Sequence, residues 1–215
     1  MITVILVNGW GYDASIWNAV RSRLAPALRV ETLDLGFFAT ADAVPPAPTF
    51  AEPVIAVGHS LGALWWLAKA EIPWRRLLCI NGFPRFTETP GYAPAIAPRV
   101  LARMQTQFAR EPATVLAEFH VRCGAAGPTI TSDTPRLAAG LNWLSEWDGR
   151  ARLAARSADV FALAAANDPI VPRAMSEMAF AALPAGHLEY LDDAGHVLPQ
   201  AAPDHCARLI ERLAQ

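Results

Sequence analysis

The sequence predicts an α/β fold: a reduced, mostly parallel sheet of about six strands, flanked by helices and interrupted by a helical insertion. Three observations carry this. Short apolar or β-branched runs alternate with helix-patterned stretches from the first residues onward. The stretch from Phe83 to Asp148 breaks that alternation, with helical patterns and no strand-like run. One strand-like run, Val54-Ile55-Ala56-Val57, passes through Gly58-His59-Ser60-Leu61-Gly62 directly into Ala63–Lys69, which has no Gly or Pro. A serine between two glycines at such a junction reads as a sharp strand-to-helix turn.

The elements follow in order. Residues 2–8 are near-continuously apolar, as a parallel strand covered on both faces requires. Asn8-Gly9-Trp10-Gly11 is a turn, and Asp13 can cap a helix carrying Ile16, Trp17, Val20 and Leu24 on one stripe. Residues 29–33 form a short strand closed by Asp34-Leu35-Gly36. Residues 37–53 hold Pro45, Pro46, Pro48 and Pro53, so a loop is expected there, with at most one helical turn around Thr40–Val44. Next come strand 54–57, a helix over 61–70 and a strand over 76–81. Helices are expected over 99–110, 113–122 and 135–147. The sheet resumes at 158–164, with a helix over 173–183, a last strand over 187–191 and an amphipathic helix over 203–213. The expected division is therefore a core of residues 1–82 and 149–215, with residues 83–148 as a helical cap.

At 215 residues the chain suits one domain, and 53% hydrophobic content suits a filled core. A net charge of −2 offers no basis for nucleic-acid binding. No apolar run reaches membrane-spanning length, and residues 1–7 read as a strand instead of a signal peptide, so a cytoplasmic, non-membrane protein is expected. Cys79, Cys123 and Cys206 are odd in number and widely spaced, with no metal-ligand pattern. Reduced thiols, no metal and no cofactor are expected.

A serine hydroxyl needs a base within hydrogen-bond reach, and the base needs an orienting group. Ser60, Asp168 and His196 follow one another along the chain, each in a loop just beyond a predicted strand, where open α/β sheets bind ligands. Among the other histidines, His59 reads as packing or surface, His120 lies in the cap and could touch substrate, and His187 and His205 read as structural. His196, in a Gly-preceded loop after the last strand, is the candidate base. Asp168, after a full strand and before Pro169, is the candidate acid, ahead of Asp34, Asp148, Asp192 and Asp193. The oxyanion hole of an acyl-transfer site needs two backbone N–H groups, expected from Leu61 and Trp10. The plain alternative for both glycine-bearing stretches is an ordinary turn.

This ordered set resembles the α/β-hydrolase superfamily over nearly the whole chain. A narrower resemblance rests on Gly9-Trp10-Gly11 with Trp17, Asp34-Leu35, Gly58–Gly62, Val171-Pro172-Arg173 and Ala194-Gly195-His196. With Met104–Phe108 and Phe119 in the cap, these are similar to the biotin-pathway esterases that cleave pimeloyl-[acyl-carrier protein] methyl ester. The resemblance implies a serine carboxylic-ester hydrolase whose Phe108, Phe119 and Trp143 line an acyl channel. It implies that Arg99, Arg103, Arg110 and Arg122 meet an acidic acyl carrier protein. The alternative is cap core for the aromatics and a solvated face for the arginines. Asn8 departs from the resemblance, where many relatives carry His, as does the missing helix at 37–53. Three functional readings stay open: this esterase; a thioesterase, lactonase or broad small-ester esterase with the same triad; and a binding protein on a hydrolase scaffold.

Overall fold

The computed structural model describes residues 2–38 and 52–215. The helical turn expected around Thr40–Val44 lies outside the described residues. Six strands, β1 (Thr3–Val7), β2 (Arg29–Leu33), β3 (Val54–His59), β4 (Trp74–Ile80), β5 (Val160–Ala165) and β6 (Leu188–Leu191), form one sheet in the order β2-β1-β3-β4-β5-β6. Every pairing is parallel. All six residues of β3 are buried, which is why its sequence is apolar without alternation.

The helices are α1 (Asn18–Arg21), α2 (Leu61–Ala68), α3 (Pro98–Phe108), α4 (Pro112–Cys123), α5 (Thr134–Glu146), α6 (Arg150–Ala155), α7 (Arg173–Ala179), α8 (Leu198–Ala201) and α9 (Pro203–Leu213). α1 packs on α9, which lies on β3, while α2 lies on β3 and β4 and packs on α6. α3, α4 and α5 form the insertion between β4 and β5, with α3 against both of the others.

Three local expectations shift. The first helix splits into a 3-10 turn, Ala14–Trp17, and α1, which ends before Leu24. Asp13 still caps the turn, its carboxylate accepting from the Ser15 N–H at 3.0 Å. The helix at 173 stops at Ala179 instead of 183. α6 and α8, six and four residues long, are too short to show a helical period in sequence.

From β1 the chain steps to β2 on one side; from β3 it steps through β4 and β5 to β6 on the other. The direction of winding therefore reverses between β1 and β3. At such a switch point the loops leaving the two strands stand side by side and open a crevice at the carboxyl edge of the sheet. Those loops are Asn8–Tyr12 and the turn at Ser60.

Candidate active site

The turn at Ser60 is tight in measurable terms. Ser60 has φ 53° and ψ −119°, a left-handed conformation that non-glycine residues seldom adopt. A Cβ on Gly58 would stand 2.4 Å from the Ala63 nitrogen, and one on Gly62 would stand 2.4 Å from the Val7 carbonyl oxygen. Strand, turn, helix and the neighbouring β1 thus meet backbone to backbone, which only glycine permits. The strained turn is held by the Ser60 N–H donating to Ile80 O at 3.0 Å. Leu61 opens α2, where the first N–H groups have no acceptor within the helix. Among the described residues, the Trp10 N–H across the switch point has no backbone acceptor.

Asp168 and His196 follow β5 and β6. Asp168 Oδ1 accepts from the N–H groups of Ile170 at 2.7 Å and Val171 at 3.0 Å. Its Oδ2 accepts from His196 Nδ1 at 2.8 Å, and both side chains are essentially fully buried. With Nδ1–H donated to a carboxylate, the lone pair of the ring lies on Nε2. That atom is buried and makes no hydrogen bond with the described residues, Ser60 included.

The backbone of His196 is held as firmly as its ring. Its carbonyl accepts from His59 Nε2 at 2.9 Å and from Asn81 Nδ2 at 2.7 Å. Burial, and then the neighbouring His196, bring the His59 pKa down to about 3. His59 is therefore neutral, with its proton on the bonded Nε2. Asn81, at φ 44°, also accepts from the Ala165 N–H at 2.7 Å, tying the ends of β4 and β5 to the histidine loop.

Ser60 opens onto a cavity of about 60 Å³ between sheet edge and insertion, walled by Trp10, Leu101, Met104, Phe119 and Leu144 among others. Its lining is apolar apart from Ser60 and Arg122.

Residues 4–209 match the alpha/beta hydrolase family. The chain belongs to that family. Its relatives in sequence include the pimeloyl-[acyl-carrier protein] methyl ester esterase of Aromatoleum aromaticum, 30% identical, with 97% of this chain and 96% of that protein covered. The biotin biosynthesis bifunctional protein BioHC of Cellvibrio japonicus is 28% identical over 81% of this chain and 40% of its own length. Among solved structures, an esterase from Exiguobacterium antarcticum superposes with a TM-score of 0.81 at 16% identity, covering 100% of this chain and 92% of that one. This α/β hydrolase is built on a six-stranded parallel sheet.

Within this α/β hydrolase the anticipated residues separate into groups. Ser60, Trp10 and Phe119 line the cavity, and His196 lies beside it, its ring 6.3 Å from that of Phe119. Phe108 is buried edge-on to Trp10, ring centroids 5.9 Å apart, and Trp143 stacks on Trp147 at 4.7 Å; both lie outside the lining. Arg99, Arg103 and Arg110 are exposed on or just after α3. Arg122 stands at the cavity instead, donating to Pro169 O at 3.1 Å. His59 is wholly buried, so the packing reading holds and the surface reading does not. His120 lies outside the cavity lining and bonds the Gly11 carbonyl at 2.6 Å. The hold of Asn81 on His196 went unanticipated; its one signal was an Asn, a residue tolerant of positive φ, at a strand end before Gly82.

Proposed function

We propose that this protein is a serine carboxylic-ester hydrolase. The observations that carry the reading are the buried Asp168–His196 pair, whose Nε2 has no hydrogen-bond partner among the described residues, and the strained Ser60 that opens onto an apolar cavity. Ser60 Oγ attacks the ester carbonyl and His196 Nε2 takes its proton. The Trp10 and Leu61 N–H groups receive the oxyanion, where one such donor is worth about 10²–10³ in rate. The alcohol leaves with the proton from Nε2. Water then gives His196 Nε2 a proton as it attacks the acyl-serine, and the acid is released as that proton passes from Nε2 to Ser60 Oγ. Asp168 holds the Nδ1–H tautomer and stabilises the imidazolium. The bond from Nε2 to Oγ forms as substrate settles, as is common for catalytic hydrogen bonds.

The substrate proposed is a methyl ester on a slim acyl chain, in the specific case pimeloyl-[acyl-carrier protein] methyl ester for biotin synthesis. Support comes from the relatives of that name and from the apolar lining of the cavity at Ser60. Residues 83–148 act as the cap, residues 1–82 and 149–215 as the core. Phe119 lines the channel, with Phe108 and Trp143 buttressing it. Arg99, Arg103 and Arg110 face the carrier, with Arg122 at the mouth.

Two measurements test this. Ser60→Ala should lose at least about a thousandfold in kcat on a short p-nitrophenyl ester; retained activity sinks the mechanism. The protein should restore growth without biotin to a strain lacking its own pimeloyl-ester esterase. Soluble protein without growth, or equal efficiency on a free methyl ester and a carrier-bound one, removes the specific substrate and leaves a broad small-ester esterase.

A further inference from the structure

The insertion grips the loop after β1 at three successive residues. The Trp10 indole Nε1–H donates to Leu137 O of α5 at 2.8 Å. The Gly11 carbonyl accepts from His120 Nε2 of α4 at 2.6 Å. The Tyr12 hydroxyl donates to Ala125 O, just past α4, at 3.1 Å. Each bond spans more than a hundred residues of sequence, so the three partners meet only because the insertion folds back over the sheet edge.

The central bond is the most constrained. Gly11 has φ +75°, and a Cβ there would lie 3.1 Å from the Phe119 ring, so α4 touches this residue through both Phe119 and His120. The His120 ring has little freedom. A Cβ on Gly127 would fall 1.9 Å from its Cε1, so Gly127 is the gap the ring occupies. The Tyr12 ring closes another side, with centroids 5.0 Å apart. A ring fixed by packing, with its nitrogen on a loop carbonyl, is built to hold that loop in one conformation.

We propose that His120 is a positioning residue for the oxyanion hole: by holding the Gly11 carbonyl, two peptide units past the Trp10 N–H, it restrains the loop that presents that N–H to the ester oxygen. This rests on the assignment of Trp10 and Leu61 as the oxyanion donors. It gives α4 two tasks, one wall of the cavity through Phe119 and the alignment of a catalytic N–H through His120. A donor that swings by a fraction of an ångström still lets substrate bind, because the apolar walls are intact, but it meets the transition-state charge poorly.

The test separates the bond from the packing. His120→Phe keeps a ring between Gly127 and Tyr12 but removes the donor; His120→Gln keeps a donor and removes the ring. Steady-state kinetics on a p-nitrophenyl ester should show His120→Phe down by about 10–100-fold in kcat with KM nearly unchanged. His120→Gln should recover kcat to within about threefold of the parent. If the Phe variant does not fold, His120→Ala should show the same fall in kcat. Parental kcat in His120→Phe, an effect confined to KM, or equal losses in Phe and Gln overturns the positioning role. A parent protein with no Ser60-dependent turnover and no fluorophosphonate labelling removes the hydrolase reading, and the positioning role falls with it. A fully active parent with an indifferent His120 removes the positioning role alone.

Discussion

His59 donates from Nε2 to the main-chain carbonyl of His196 at 2.9 Å, while the two rings lie 4.9 Å apart. One histidine thus fixes the backbone of the other, and the two have opposite tasks. His59 is sealed and neutral; His196 has the free nitrogen. The pair works only if His59 stays uncharged, because a second imidazolium beside His196 would oppose protonation there.

The depressed His59 pKa, about 3, sets a pH dependence whose sign can be worked out. In the unfolded chain the ring titrates near the ordinary histidine value of about 6.5. Between those values the unfolded state binds a proton that the folded state refuses. The His59 contribution to stability is therefore fully present above about pH 6.5 and declines as pH falls toward 3, at up to about 1.4 kcal/mol per pH unit. His59→Asn removes the titration while keeping a donor. Urea unfolding at pH 7 and pH 5 should show the parent losing more stability than the variant by about 1–2 kcal/mol. Equal losses would refute the sealed, neutral His59.

Asn81 offers a sharper test, because two effects on it pull apart. Its side chain bonds Gly195 O at 3.1 Å, His196 O at 2.7 Å and the Ala165 N–H at 2.7 Å, all from φ 44°. Asn81→Ala loses the three bonds and retains the left-handed backbone, for an expected cost of about 2–4 kcal/mol. Asn81→Gly loses the same bonds but relieves the backbone, so it should be the more stable variant by about 1 kcal/mol. That reverses the usual order of Ala and Gly. Chemical denaturation of the two variants decides it, and an alanine variant at least as stable as the glycine one would show that the positive φ carries no strain.

Glycines in this chain should divide by what surrounds them. A Cβ on Gly58 meets the backbone of Ala63 and Gly62 at 2.4 to 2.5 Å, where no side chain can yield. Gly58→Ala should abolish folding or leave a protein that melts far below the parent. Gly186 has φ +80° with nothing within 4 Å, so Gly186→Ala should cost only the backbone strain, about 1–2 kcal/mol. Thermal melts of both variants check this; a Gly58→Ala melt close to the parent's would contradict the backbone contact at the elbow.

The sheet and the chain order of Ser60, Asp168 and His196 were legible because both are local signals. Apolar runs mark buried strands, and the residues that matter stand one step past each strand end. What was not legible depends on contacts made across the fold. His59 looked equally suited to packing or surface, since nothing next to it reveals that the carbonyl of His196, 137 positions away, accepts from its Nε2. His120 looked like a substrate contact because the sequence places it in the cap without its direction. Trp143 is aromatic and in the cap, as a channel residue would be, yet it stacks on Trp147, a near neighbour on the far side of a helix end. The short helices α6 and α8 escaped for a simpler reason: one or two turns leave no period to read.

The exposed arginines on and just after α3 make the proposed carrier protein testable apart from the chemistry. Arg99, Arg103 and Arg110 are exposed and outside the cavity lining. An acidic carrier steered by them should associate faster at low salt, with the advantage fading as the Debye length shrinks from about 30 Å to about 10 Å. A free methyl ester feels none of this. The combined change Arg99→Glu and Arg103→Glu should therefore raise KM for a carrier-bound ester by about tenfold at low ionic strength, with kcat and the free-ester kinetics within about twofold of the parent. Adding salt should narrow the gap between parent and variant. If the reversal leaves the carrier-bound KM unchanged at low salt, the arginines are a solvated face, and the carrier either docks elsewhere or is not the partner.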